Sequence, residues 1–357
     1  MWRTYVSIVM DRRFLVPGLA LSGVFFILFG YIGGASYVYQ SFYGLPSREF
    51  GFIFGATGIA VLIGAIIWNL ATWLFGLPSS SSHALFGGLI GAVLVEAGMS
   101  GIHAGKIMSK IILPALVAPF VAGIAALLAT WLAYRITDHT AHHSSRMFLN
   151  GQRVSASMVA LAHGTSDGQK TMGVITLVLV AAGYQASGTG PAWWVILAAG
   201  CAIGLGTYSG GWRIMRTMGK GLCDIESPQG FAAETASTAA ILASSHLGFA
   251  LSTTHVCSGS ILGSGIGRRT EVRWATAGKM VIAWLVTLPA AALVGAITSA
   301  IAGASAWGVV IDLVLLAVMA AVIVRQANHH KVDHNNVNDS TQVGVRKGSA
   351  IAGGTAA

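Results

Sequence analysis

Two short runs of hydroxyl side chains are the residues whose type and spacing most directly suggest chemistry. Each run precedes a histidine and then a segment rich in glycine and apolar residues. A single offset aligns the two runs residue by residue, so that Ser80 matches Ser252 and His83 matches His255. A duplicated motif of this kind is typical of membrane proteins that bind a ligand between two internal repeats.

Hydroxyl groups at the start of a helix can form an anion site that carries no net charge. The first N–H groups of a helix lack partners within it, the helix dipole is positive at that end, and Ser or Thr hydroxyls add donors. Two such helix starts that meet inside a membrane could enclose a tetrahedral oxyanion. The alternative is that the serines form a linker or a helix-packing surface. The predicted substrate-binding hydroxyls are those of Ser80, Ser81, Ser82, Ser252, Thr253 and Thr254.

A third motif, HGTSDGQK at residues 163–170, places a carboxylate inside an apolar stretch. A charge at such a depth is costly, so Asp167 is predicted to be functional. The flanking glycines predict an unwound, broken helix whose oxygens hold Na⁺ or relay a proton. We expect Lys170 to snorkel or to pair with Asp167; the alternative is a solvated loop between two short spans. The predicted cation ligands are Asp167, Ser166 and Thr165, and the predicted substrate contacts add Asp167 and Gln169.

The composition indicates which kind of element must position these residues. Only 9% of the 357 residues are charged, against roughly 25% in soluble domains, so the chain lacks the polar surface that faces water. Apolar stretches long enough to cross a bilayer recur along it, and they do not alternate like barrel strands. The predicted fold class is an all-α polytopic membrane protein in a cell membrane, with the lipid bilayer as its surroundings.

The duplicated motif predicts repeats of inverted topology, and its resemblance to known secondary transporters implies an inverted-repeat transporter with two re-entrant hairpins. Pro78 ends one helix, and the serines then cap the next one. Residues 1–134 form a first repeat with a hairpin at 77–98, and residues 135–150 form a polar connecting loop. Residues 151–325 hold the broken helix at 163–170, a second hairpin at 250–265 and the closing spans. Residues 326–357 are predicted to be a disordered tail.

The charges fit a membrane orientation better than a nucleic-acid partner. The net charge of +9 comes from basic residues at the ends of apolar runs, where they set topology and bind lipid head groups. The positive-inside rule places Arg268 and Arg273 in the cytoplasm and Lys106 outside, so we expect the two repeats to have opposite orientations. The three cysteines have neither disulfide nor metal-ligand spacing, and we expect no metal site and no cofactor besides a coupling Na⁺ or H⁺.

Together the three motifs resemble the inorganic phosphate transporter family of cation-coupled permeases. The stretches that carry the resemblance are WNLATWLFGLPSSSSHALFGGLIGA, AHGTSDGQKTMGVITL and QGFAAETASTAAILASSHLGFALSTTHV, with GTYSGGWRIMRTMGK beside them. The resemblance implies symport of phosphate with Na⁺ or H⁺, binding of phosphate between the two hairpin tips, and pairing of two chains. It implies no catalytic residue.

The chain departs from the family pattern at two points. Ser166 stands where the family has an asparagine before Asp167, which changes a cation ligand. The earlier Asn-Asp broken helix of the family has no counterpart here, so the sequence is expected to be truncated at its N-terminus. The alternatives are a permease for another oxyanion such as sulfate, or an inactive truncated homologue. A membrane-embedded Ser-His-Asp hydrolase is disfavoured, because the motif is duplicated and lacks a Gly-x-Ser-x-Gly turn.

Overall fold

A computed structural model describes residues 62–137, 143–181, 184–186, 188–247, 251–304, 307–329 and 331–338. Residues 1–61 of the predicted first repeat and most of the predicted tail lie outside the described residues. Within these ranges the chain is helical, apart from short connections and one bridge between Cys223 and Val272. This confirms the predicted all-α class.

The helices follow one another with short connections. The longest of the described helices is α4, whose 39 residues correspond to a length of roughly 58 Å. A short turn at Ala104–Ile107 and a π-helical segment at Met108–Ile112 lead directly into α3, and another π-helical segment, Thr217–Gly221, follows α6. The bounds are α1 Leu62–Leu74, α2 Ser81–Ala97, α3 Leu113–Thr137, α4 His143–Ala181, α5 Trp193–Gly210, α6 Trp212–Arg216, α7 Ser227–Leu247, α8 Thr253–Arg268, α9 Trp274–Ala304 and α10 Gly308–Asn328.

Several helices have the length and composition of membrane spans. Among the described residues, four helical segments have this length and composition on their own: Ser81–Gly101, Ala104–Ile136, Trp274–Ala304 and Gly308–Asn328. A fifth span results if α5 and the bent segment after it, at 61° to each other, are counted together. Large apolar side chains such as Phe120, Leu285 and Leu293 are more than half exposed, as expected for surfaces that contact lipid. The chain is a multi-pass membrane protein.

The two helices that follow the hydroxyl runs pack in the same manner. α2 packs along α9, and α8 packs along α3, so that each contacts the long helix of the other half of the chain. A methyl group added at Gly91 would overlap the carbonyl of Ala292, and one added at Gly263 would overlap the carbonyl of Gly123. These two glycines match each other in the sequence repeat. The repeat therefore extends from the motif to the packing of whole helices.

The structure corrects three predicted boundaries. α4 is one uninterrupted helix through residues 163–170, where the sequence predicts a break. Helical structure reaches Thr137 and resumes at His143, within the predicted loop at 135–150, and residues 138–142 lie outside the described residues. α10 continues to Asn328, past the predicted start of the tail. A helix keeps its own backbone hydrogen bonds where no water replaces them, so flanking glycines alone do not unwind it.

Candidate functional site

Each hydroxyl run begins a helix. Ser80 is the N-cap of α2, and its Oγ accepts a hydrogen bond from the backbone N–H of His83 at 3.2 Å. Ser252 is the N-cap of α8, and its Oγ accepts from the N–H of His255 at 3.3 Å. The φ and ψ angles, −90° and 108° at Ser80 and −87° and 112° at Ser252, are nearly identical. The predicted N-cap role is confirmed in both repeats.

The two caps lie side by side, although half the chain separates them in sequence. The hydroxyl of Thr254 donates to the carbonyl of Ser79 at 3.2 Å. The rings of His83 and His255 are 5.0 Å apart between centroids, and both side chains are buried. Two helix starts, with their positive dipole ends and their first N–H groups, therefore meet at one place.

Trp284 of α9 joins this contact from the side. Its indole packs on the ring of His255 with centroids 4.2 Å apart. Its Nε1 donates to the carbonyl of Pro78 at 2.9 Å, within the loop that leads to the first cap. One aromatic side chain thus contacts a residue near each of the two caps. His83, His255 and Trp284 also line an apolar groove between α3, α8 and α9.

A buried carboxylate from α4 lies next to the second cap. Asp167 is 2% exposed. Its Oδ2 accepts from the hydroxyl of Thr253 at 3.2 Å and lies 3.1 Å from Nε2 of His163. The same His163 nitrogen is 3.0 Å from the hydroxyl of Thr253, so the three side chains form a closed triangle. Asp167 therefore lies beside the second hydroxyl run, and its contact with substrate stays a prediction.

Lys170 links the carboxylate to the first hydroxyl run and to the residue before the second cap. Its ammonium donates to Oδ1 of Asp167 at 2.7 Å and also to the hydroxyl of Ser82. It lies 3.5 Å from the carbonyl of Leu251, the residue before the second cap. The side chain is buried, with 4% of the residue exposed, so it pairs with Asp167 and does not snorkel. Pairing is one of the two roles that the sequence predicts for it.

The structure brings together some of the predicted site residues and leaves others apart. Ser82, Thr253 and Asp167 share one hydrogen-bonded cluster with His163 and Lys170. The remaining residues lie as follows: Ser80 and Ser252 are buried caps, Thr254 bridges the caps, Ser81 is exposed, Ser166 is buried, Gln169 is half-buried, and the Thr165 hydroxyl donates to the carbonyl of Leu161 at 2.9 Å.

The predicted cation ligands do not converge in this arrangement. Thr165, Ser166 and Asp167 are consecutive residues of an intact helix, and consecutive helical side chains point to different sides. An unwound segment would be needed to turn all three oxygens toward one ion. The structure therefore does not show the broken helix on which this set of ligands depends, and the assignment of the three residues as cation ligands stays a prediction.

Sequence reasoning gave no role at the caps to His163 or Trp284, and it did not foresee the contacts of Lys170 with both runs. The sequence does contain a signal for two of these residues, His163 and Lys170. His163, Asp167 and Lys170 follow one another by four and then three residues, which places them on one face of a continuous helix. The expected helix break obscured this spacing. No local signal linked Trp284 to the caps.

Comparisons with known proteins identify a family and several relatives that this chain resembles. Residues 24–295 match the model of the phosphate transporter family. The chain is 50% identical over 284 residues to a probable low-affinity inorganic phosphate transporter of Mycobacterium bovis, covering 78% of this chain and 68% of that protein. It is 43% identical over 242 residues to a protein of the same description from Rhizobium meliloti, covering 67% and 72%.

The fold is also similar to that of a solved membrane protein. A structure described as the sodium-dependent phosphate transporter superimposes with a TM-score of 0.64 over 80% of this chain and 88% of the other. The identity between the two is 19%, so this similarity bears on the fold alone.

Proposed function

The chain belongs to the phosphate transporter family, whose members are transporters and not enzymes, and on this basis we propose that it carries inorganic phosphate across the cell membrane. It acts as a secondary transporter, driven by a gradient of Na⁺ or H⁺. The observation that carries the proposal is the meeting of two matching helix N-caps, joined by the hydrogen bond between Thr254 and Ser79.

The chemistry of the caps suits phosphate. Helix N-termini and neutral hydroxyls offer hydrogen-bond donors to all sides of a tetrahedral oxyanion, and they cost less to bury than free cations. The cluster beside them is compensated, because the negative Asp167 is paired with the positive Lys170. An arriving anion therefore meets donors and not an uncompensated negative charge. We assign phosphate contact to Ser80, Ser81, Ser82, Ser252, Thr253 and Thr254, and leave Gln169 as a second-rank candidate.

The experiment is uptake of labelled phosphate into proteoliposomes that hold this chain, with an imposed Na⁺ gradient and separately a pH gradient. We expect gradient-driven uptake that excess sulfate does not suppress. The double change Ser80→Ala and Ser252→Ala should lower the apparent affinity for phosphate by roughly thirtyfold, because each lost hydroxyl removes a hydrogen bond of about 1 kcal/mol. Ser100→Ala is the matched control, since Ser100 is exposed and donates to the carbonyl of Ala97.

Two results would contradict the proposal. Absence of uptake under every gradient would remove transport as the function of this chain. Equal suppression by sulfate and by unlabelled phosphate would point to a general oxyanion permease. The family resemblance also implies that two chains pair, and cross-linking of the protein in lipid bilayers checks this.

A further inference from the structure

A buried ammonium group lies in the middle of the cluster that joins α4 to the two caps. The Nζ of Lys170 is surrounded by a carboxylate oxygen of Asp167, a hydroxyl oxygen of Ser82 and the backbone oxygen of Leu251. A lysine ammonium has three donors and no acceptor, so these three oxygens match its bonding capacity. The charge of the ammonium is compensated by Asp167, and its three N–H donors have three oxygen acceptors among the described residues.

The oxygens around Lys170 are those that a hard metal cation would use. Ions of this kind bind carboxylate, hydroxyl and carbonyl oxygens, and they do not require nitrogen or sulfur. A free Na⁺ held between Asp167 and the two caps would need the same oxygens that Lys170 now occupies. The ammonium group and the metal ion therefore compete for one position.

The helix holds the ammonium in this position. Asp167 and Lys170 are three residues apart on the uninterrupted α4, a spacing that brings their side chains to the same face. Both side chains are nearly inaccessible, and among the described residues His163 is the other titratable group that contacts Asp167. If Na⁺ replaced the ammonium at Asp167, the positive charge of Lys170 would be left buried without its partner, which is strongly unfavourable.

We propose that Lys170 is a tethered cation that takes the place of a free Na⁺ at Asp167. The cluster between α4 and the two caps then needs no metal ion to compensate Asp167, and phosphate binding at the caps does not depend on Na⁺ there. This inference rests on the proposed function, because it specifies which cation serves the phosphate site. It also gives a reason why α4 stays helical, since the ammonium that pairs with the Asp167 carboxylate lies one turn further along the same helix.

The test is titration of the purified protein with NaCl, with choline chloride as the reference salt, followed by calorimetry. Lys170→Gln removes the ammonium and keeps a polar side chain of similar length. We expect this variant to gain one saturable Na⁺ site that the unchanged protein lacks. The double variant Lys170→Gln and Asp167→Asn should lose that site again. Lys106→Gln is the matched control, because Lys106 is an exposed lysine at the start of the span that contains α3.

Phosphate uptake supplies the second measurement. The unchanged protein and Lys106→Gln should keep their uptake when a pH gradient is imposed and Na⁺ is replaced by choline at constant ionic strength. Without Na⁺, uptake by Lys170→Gln should be at least about tenfold lower than uptake by the unchanged protein. Uptake by this variant should recover when Na⁺ is added, because Na⁺ then supplies the missing charge.

The outcomes separate this inference from the proposed function. If the unchanged protein binds Na⁺ and Asp167→Asn abolishes that binding, the tethered-cation inference is overturned. It is also overturned if folded Lys170→Gln gains no Na⁺ site, whatever its uptake. If the unchanged protein takes up no phosphate under any gradient, the proposed function fails, and the calorimetric titrations still decide whether Lys170 holds the place of a cation.

Discussion

At the scale of single residues, one of the bonds between the two repeats runs from the hydroxyl of Thr254 to the carbonyl of Ser79, beside the two caps. Thr254 is half-buried, and its hydroxyl is one of those predicted to contact the substrate. A transporter must open its site to each side of the membrane in turn, so a bond between the two caps stabilises a state in which they are together. Thr254 therefore joins the two caps, and its role as a donor to the substrate stays a prediction.

Replacing Thr254 by valine keeps the shape of the side chain and removes the hydroxyl. We expect the apparent affinity for phosphate to fall about fivefold, because a hydrogen bond of this kind contributes about 1 kcal/mol. Thr254→Ser keeps the hydroxyl and should remain within about twofold of the unchanged protein on the same basis. Concentration dependence of phosphate uptake measures both. Loss of affinity in the serine variant with none in the valine variant would show that the methyl group matters and the bond does not.

At the scale of elements, the helices that carry the caps are positioned by close backbone contact. α2 approaches α9 at Gly91, and α8 approaches α3 at Gly263, so closely that no side chain fits between them. Small residues at such crossings are typical of helix packing in membranes, where apolar burial gives little driving force. The caps meet because their helices are held tightly, each by the long helix of the other repeat.

Gly263→Ala should therefore destabilise the protein, since its methyl group would overlap the carbonyl oxygen of Gly123. Gly91→Ala should do the same against Ala292. Overpacking of this kind costs about 1–3 kcal/mol and should lower the melting temperature in detergent. Gly278→Ala is the control, because its added methyl group meets no atom within 4 Å, and alanine favours a helix. An unchanged melting temperature for both Gly91→Ala and Gly263→Ala would contradict the close packing.

At the scale of the whole molecule, charged and aromatic side chains gather at one end of the helices. The hydroxyl of Tyr134, near the end of α3, donates to Glu226 at 2.6 Å, and its ring lies 4.2 Å from the guanidinium of Arg268. Arg273 donates to the carbonyl of Lys220 at 2.7 Å, at the start of the next long helix. The ends of α3 and α8 thus share one side with the starts of α7 and α9. The positive-inside rule predicts that this side is cytoplasmic.

The orientation is testable with single cysteines. The span from Ala104 to Ile136 has 33 residues and places its two ends roughly 50 Å apart. In a background without Cys201, Cys223 and Cys257, we expect His103→Cys to react with an impermeant thiol reagent added to intact cells. Glu271→Cys should react only after the membrane is permeabilised. Both positions are exposed, so accessibility on the protein surface does not differ between them. Labelling of Glu271→Cys in intact cells would reverse the predicted orientation.

The sequence alone determined the properties that depend on composition and on local order. Scarcity of charge identified the membrane class, and Pro78 followed by serines predicted the first N-cap, because capping is settled within a few residues. The alignment of Ser80 with Ser252 predicted a second site of the same geometry. The three motifs in their order led to the phosphate transporter family.

Only the tertiary structure decided which distant groups meet. The flanking glycines of Asp167 predicted a broken helix, yet glycine permits unwinding without requiring it, and α4 remains intact with Lys170 beside the carboxylate. The contacts of Lys170 with Ser82 and of Trp284 with Pro78 link residues far apart in the chain. Such contacts follow from how helices pack, and packing depends on the shapes of many residues together, which no short stretch of sequence contains.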